Sequence, residues 1–76
     1  MKEKAKLLDV VALTEDLPAE GLVRGQVGTI VEEYTPEAFE VEFSDNDGRT
    51  YALASLSNRQ FMVLHHEPVG ASPADR

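Results

Sequence analysis

The sequence contains no cysteine and no tryptophan among its 76 residues. Without thiols there can be no disulfide framework and no thiolate metal site. A domain near the lower size limit for an unstapled core must then hold together by apolar packing alone. Absence of cysteine also fits a reducing compartment. Basic residues are scarce as well: Lys and Arg number 7 against 14 Asp and Glu. Between residues 9 and 64 only Arg24, Arg49 and Arg59 face eleven acids, a net of −8. Such a body repels phosphate backbones, so nucleic acid is not expected as a partner. The same charge suits a basic protein partner and also keeps a small protein in solution. Long apolar runs are missing too. Leu7-Leu8 and Val10-Val11-Ala12-Leu13 are split by Asp9 and are far too short to span a bilayer. Lys2, Lys4 and Lys6 are not followed by an apolar stretch of the secretory kind. A soluble, cytoplasmic protein with no membrane contact is the expectation.

What is present is strand-forming sequence. Gly21-Leu22-Val23-Arg24-Gly25-Gln26-Val27-Gly28-Thr29-Ile30-Val31 combines three glycines with mostly β-branched apolar residues, which favours a pleated strand. Val27 and Ile30 are three apart, so strict alternation puts them on opposite faces. A bulge at Gly28, using glycine's tolerance of unusual backbone angles, would turn both inward. Residues 8–13 read as the first strand, with Leu8, Val10 and Ala12 on one face and Val11 and Leu13 on the other. Residues 14–21 form a loop in which Leu17 and Leu22 fold down as a plug; a helical turn over 17–20 with Pro18 at its first position is the rival reading.

The long strand runs over 26–34, followed by a turn at 35–38. Residues 39–43 alternate with period two, placing Phe39, Val41 and Phe43 inward and Glu40 and Glu42 in water. Ser44-Asp45-Asn46-Asp47-Gly48 is a hairpin connection. Residues 49–53 return as the fourth strand with Tyr51 and Leu53 on the core side. A single 3₁₀ turn over 54–58 precedes the closing strand at 61–64. The expected architecture is all-β: a small five-stranded SH3-like barrel over 8–64, closing round Val10, Val27, Ile30, Val41 and Phe43. Flexible tails at 1–7 and 65–76 flank it.

Residues 8–64 also resemble an uncharacterised bacterial family of stand-alone small domains of unknown function. The resemblance is carried by Leu8-Asp9-Val10-Val11, Thr14-Glu15-Asp16-Leu17-Pro18, Gly28-Thr29-Ile30-Val31, Val41-Glu42-Phe43 and Asp45-Asn46-Asp47-Gly48. It implies an SH3-like fold and no established activity. Val23-Arg24-Gly25 and Val27-Gly28-Thr29-Ile30 are similar, more loosely, to the KOW segment of RNA- and ribosome-binding proteins. That segment is basic in those proteins, whereas here Arg24 stands alone and Glu32 and Glu33 follow.

Catalytic and metal chemistry find little support. An EF-hand loop around Asp45-Asn46-Asp47-Gly48 would need an acid where Phe43 stands and a glutamate where Ala54 stands. His65 and His66 are adjacent and point apart on an extended chain, with no third ligand. No serine has a partner base, and neighbouring carboxylates on a strand alternate faces. No catalytic residue, metal site or cofactor is expected. The candidate partner-binding surface is the groove between the 14–21 loop and the 45–48 hairpin, with Glu15, Asp16, Leu17, Tyr34, Asp45, Asp47 and Tyr51. The expected function is a non-enzymatic, acidic protein-interaction module or small accessory or regulatory subunit, monomeric or weakly self-associating. The alternatives are an immunity protein or antitoxin-type inhibitor of a basic effector, and a KOW-like RNA or ribosome binder, which the charge disfavours.

Overall fold

A computed structural model describes residues 4–65. The expectations for the rest of the two tails, His66 included, lie outside the described residues. The chain is all-β, with strands β1 (Val10–Leu13), β2 (Val27–Thr35), β3 (Ala38–Ser44), β4 (Thr50–Ser57) and β5 (Phe61–Val63). They form one antiparallel sheet in the order β4-β3-β2-β1-β5.

β3 follows its sequence pattern most closely. Phe39, Val41 and Phe43 are buried, and Glu40 and Glu42 lie on the opposite face. β2 supplies Ile30 to the same core, β1 supplies Val11 and Leu13, and Leu22 descends from the β1–β2 loop. The sheet curls because register shifts occur between Ile30 and Glu32 and between Glu33 and Thr35, each bending β2 as extra residues bend a strand. The curl brings Phe61 of β5 edge-on to Phe39 of β3, ring centroids 5.6 Å apart. No ladder joins β4 to β5, so the sheet is curled but not closed, and "barrel" describes it only loosely.

Several expectations are corrected. Val27 is 47% exposed and Gly28, not Val27, faces the core. Pairing is unbroken from Val10↔Thr29 through Val11↔Gly28 to Ala12↔Val27, so there is no bulge at Gly28, and its φ is not left-handed. The glycine is there for room: a Cβ would lie 2.7 Å from Val41 Cγ1 and 2.9 Å from the Glu42 carbonyl oxygen. Val10 and Ala12 are only half-buried, because the core takes the Val11 and Leu13 face alone. Leu8 precedes the strand, in a Lys6–Asp9 turn closed by Asp9 N–H on the Lys6 carbonyl at 3.1 Å. It is exposed, with φ 72°.

β4 also departs from its expected face. Leu53 is 55% exposed, whereas Ala54 and Leu56 are buried and Ala52 packs against the core. A register shift at Phe43/Ser44 inserts one residue, so that Phe43 pairs with Ala52 and Val41 with Ala54. A one-residue slip moves every side chain to the other face. β4 continues through Ser57, where a 3₁₀ turn was expected. The 3₁₀ turn lies instead at Pro18–Glu20, with Pro18 opening it, as in the rival reading of that loop. At the N-terminal side, Ala5 is buried and Leu8 N–H donates to the Ile30 carbonyl at 2.8 Å. The segment read as a solvated tail is thus docked on the core at Ala5. Among the described residues, no helix is long and apolar enough to cross a membrane.

Candidate functional site

The β1–β2 loop is built from its own backbone. Leu17 and Leu22 form a two-way bridge at 2.8 and 3.2 Å, and Gly21, φ 73°, closes the 3₁₀ turn. Leu22 is buried and Leu17 packs against the core, giving the plug anticipated from the sequence. Asp16 Oδ1 accepts from Arg24 N–H at 2.9 Å, tying the two limbs of the loop together. Glu15 Oε2 accepts from Gln60 Nε2 at 3.1 Å, and Thr14 Oγ1 donates to the Arg59 carbonyl. Glu15 therefore stands beside the β4–β5 turn.

Asp45 organises the β3–β4 hairpin. Its Oδ1 accepts from Asp47 N–H at 2.9 Å and Arg49 N–H at 3.0 Å, while Gly48 takes the left-handed φ of 83° that ends the turn. Tyr51 is the residue inserted at the register shift. Its ring lies 6.4 Å from Phe43 and its hydroxyl accepts from Gln26 Nε2 at 2.9 Å. It covers the end of the core with its oxygen wet.

Tyr34 belongs elsewhere. It lies near the far end of β2, where its hydroxyl donates to Glu40 Oε1 at 3.2 Å. Partial burial, the bond to Glu40 and the charges of Glu40 and Glu32 raise the Tyr34 phenol above the ordinary tyrosine range. The seven residues singled out from sequence thus fall in three places: the loop and its β4–β5 neighbour, the hairpin with Tyr51, and the far end of β2. Among the described residues, no hydrogen bond joins the 14–21 loop to the 45–48 hairpin; Gln26, beyond the loop, bonds Tyr51, beyond the hairpin.

The geometry also assembles a surface that residue-by-residue reading passed over. Glu32 on β2 sits directly opposite Glu40 on β3, and Glu42 lies next but one along β3 on the same face. Glu40 Oε1 also accepts from Ser55 Oγ at 2.8 Å, and Glu42 Oε2 accepts from Thr50 Oγ1. Among the described residues, no Lys or Arg pairs with any of the three glutamates; Lys6 pairs with Asp9 at 3.3 Å. Exposed Tyr34 and Leu53 flank them. Alternation in 39–43 already put Glu40 and Glu42 on one face. Glu32 could be added only with the β2–β3 register, which two shifts obscure. Chemically this face is a set of fixed acceptors among apolar and hydroxyl groups, suited to cations and N–H donors. No group of three or more His, Cys, Asp or Glu placed to hold a metal ion occurs among the described residues.

A family model described as a domain of unknown function (DUF4926) matches residues 7–63. Neither a curated protein nor a solved structure matches the chain.

Proposed function

The chain belongs to the DUF4926 family of domains of unknown function, and on that premise we propose that it is a non-enzymatic protein-interaction module of SH3-like shape, a small accessory or regulatory subunit whose partner presents a basic surface. The observation that carries this reading is the facing pair Glu32 and Glu40, with Glu42 beside it and no Lys or Arg partner among the described residues. Like charges directly opposite on a sheet destabilise the fold that holds them. Lysine or arginine from a partner would relieve that repulsion, while Tyr34 and Leu53 offer apolar contact at its margin. Charge complementarity of this kind mainly speeds and orients encounter. The acids of the loop and hairpin, Glu15, Asp16, Asp45 and Asp47, extend the same field, with Leu17 and Tyr51 as apolar contacts beside them.

The test is capture from the native host with the tagged full chain at low and high salt, followed by titration of the purified partner. The reading expects one basic protein at stoichiometric yield, a dissociation constant that rises with salt, and loss of binding in the double variant Glu32→Gln/Glu40→Gln. Salt-insensitive binding, or binding indifferent to both substitutions, would overturn it. Binding to a homopolymeric RNA in place of a protein would favour the KOW-like alternative.

A further inference from the structure

β4 is an eight-residue edge strand, Thr-Tyr-Ala-Leu-Ala-Ser-Leu-Ser, without one charged residue or proline. Edge strands are ordinarily guarded by charge, proline or shortness, because their unpaired N–H and C=O groups template further strands. β5, at the other edge, has only three residues. Two hydrogen bonds fix which groups of β4 are free. Asn58 N–H donates to the Glu37 carbonyl at 2.9 Å, so the residues in step with Asn58, namely Leu56, Ala54 and Ala52, point their backbone groups at β3. Ser57 N–H, in the opposite phase, donates away from β3 to Gln60 Oε1 at 2.9 Å. The Ser57 carbonyl accepts from Gln60 N–H, also at 2.9 Å. Ser57 is therefore satisfied by its own turn, which leaves Leu53 and Ser55 with outward backbone groups; Tyr51, the residue inserted at the register shift, falls outside this alternation.

We infer that β4 pairs antiparallel with β4 of a second copy about a two-fold axis at Ala54. That register sets each Leu53 against the other copy's Ser55. All outward groups of the two residues are then used, in four hydrogen bonds. Moving the axis to Leu53 would bring Ser55 against the displaced Tyr51 and lose two of the four. The strand's neutrality suits a self-partner, since no like charges meet across the pair. Leu53 and Tyr51, 55% and 48% exposed, are the large apolar side chains beside the seam.

The acidic bodies oppose association, but not decisively. Glu42 of one copy and of the other would be three strand spacings apart, about 14 Å, beyond the roughly 8 Å Debye length at physiological salt. Self-association therefore strengthens with salt, opposite to binding of a basic partner. The pairing uses the backbone edge and the proposed partner uses the sheet face, with Leu53 at the margin of both, and the opposite salt dependences tell the two apart.

Sedimentation equilibrium of the full chain across protein and salt concentration is the test. The expected result is a mass moving from 8.4 kDa toward twice that value, more readily at higher salt. Leu53→Pro removes an N–H that no hydrogen bond among the described residues uses, a placement proline tolerates on an edge. It should weaken the dimer by about tenfold, and Leu53→Lys should do so through repulsion beside the axis, both with an unchanged circular dichroism spectrum. Because the chain has no cysteine, a mixture of Leu53→Cys and Ser55→Cys chains gives a further readout that needs neither of those variants. Paired Cα atoms about 5.5 Å apart fall within disulfide range, so the mixture should cross-link under mild oxidation faster than either cysteine variant alone. A mass of one copy at every concentration and salt, or cross-linking of either cysteine variant alone as fast as the mixture, would overturn the inference.

Discussion

Adding one methyl group at Gly28 should destabilise the domain, and the structure says by how much and through which neighbours. A Cβ at this position would lie 2.7 Å from Val41 Cγ1, 2.9 Å from the Glu42 carbonyl oxygen and 3.0 Å from Phe43 Cδ2. The oxygen belongs to the β3 backbone, and the other two atoms belong to side chains with no exposed surface. Relief thus requires β2 and β3 to separate or the core to shift, and overpacking of this kind costs about 1–3 kcal/mol. Set against it is the reduced freedom of alanine in the unfolded chain, about 0.4–1 kcal/mol. The net for Gly28→Ala is then a loss of about 1–2 kcal/mol, a fall in Tm of roughly 5–15 °C for a domain of this size. Gly28→Val, with two further methyls, should lose more than about 3 kcal/mol. Equilibrium urea unfolding followed by far-ultraviolet circular dichroism measures this directly. A double-mutant cycle identifies the neighbour: Val41→Ala should cost about 1 kcal/mol less in the Gly28→Ala background than alone, because it removes the closest atom. A Gly28→Ala protein as stable as the parent, or additive substitutions, would refute the steric reasoning.

Glu32→Gln should stabilise the isolated domain by about 0.2–1 kcal/mol by removing one member of the pair facing Glu40. Moderate salt should raise the parent's Tm and shrink that difference, as a salt series in differential scanning calorimetry would show. Asp45→Ala should cost about 1 kcal/mol in urea unfolding, since two backbone N–H groups lose their shared acceptor. The raised Tyr34 phenol means that the folded state holds this proton more tightly than the unfolded chain does. Its contribution to stability is complete below the unfolded value of about 10 and is lost as pH rises through the folded value. Absorbance titration should show one tyrosine ionising late, and Tyr34→Phe should remove that step and flatten the alkaline fall in stability.

The parts of the fold legible in the sequence were those decided by residues next to one another. Phe39, Val41 and Phe43 alternate without interruption, and their burial follows. Asp45 to Gly48 carries its own turn chemistry, and the hairpin follows. What stayed hidden depends on partners distant in sequence. The need for Gly28 arises from Val41 across the sheet, so spacing within β2 suggested a backbone role that the glycine does not have. The inserted Tyr51 shifts β4 by one residue, and nothing local distinguishes Ala52 and Ala54 as core residues when Tyr51 and Leu53 are larger. The candidate surface suffered similarly. Tyr34 was grouped with acids at other places on the sheet, while the opposition of Glu32 to Glu40 emerges only from a register containing two shifts.

Amide hydrogen exchange along β4 in dilute solution tests the central structural claim, a curled sheet left open at this edge. The account predicts alternation: Ala52, Ala54 and Leu56, bonded to β3, exchange slowly, and Leu53 and Ser55 exchange quickly. Uniform protection of all five amides at concentrations where the chain is a single copy would contradict it, because the edge would then be covered within the monomer.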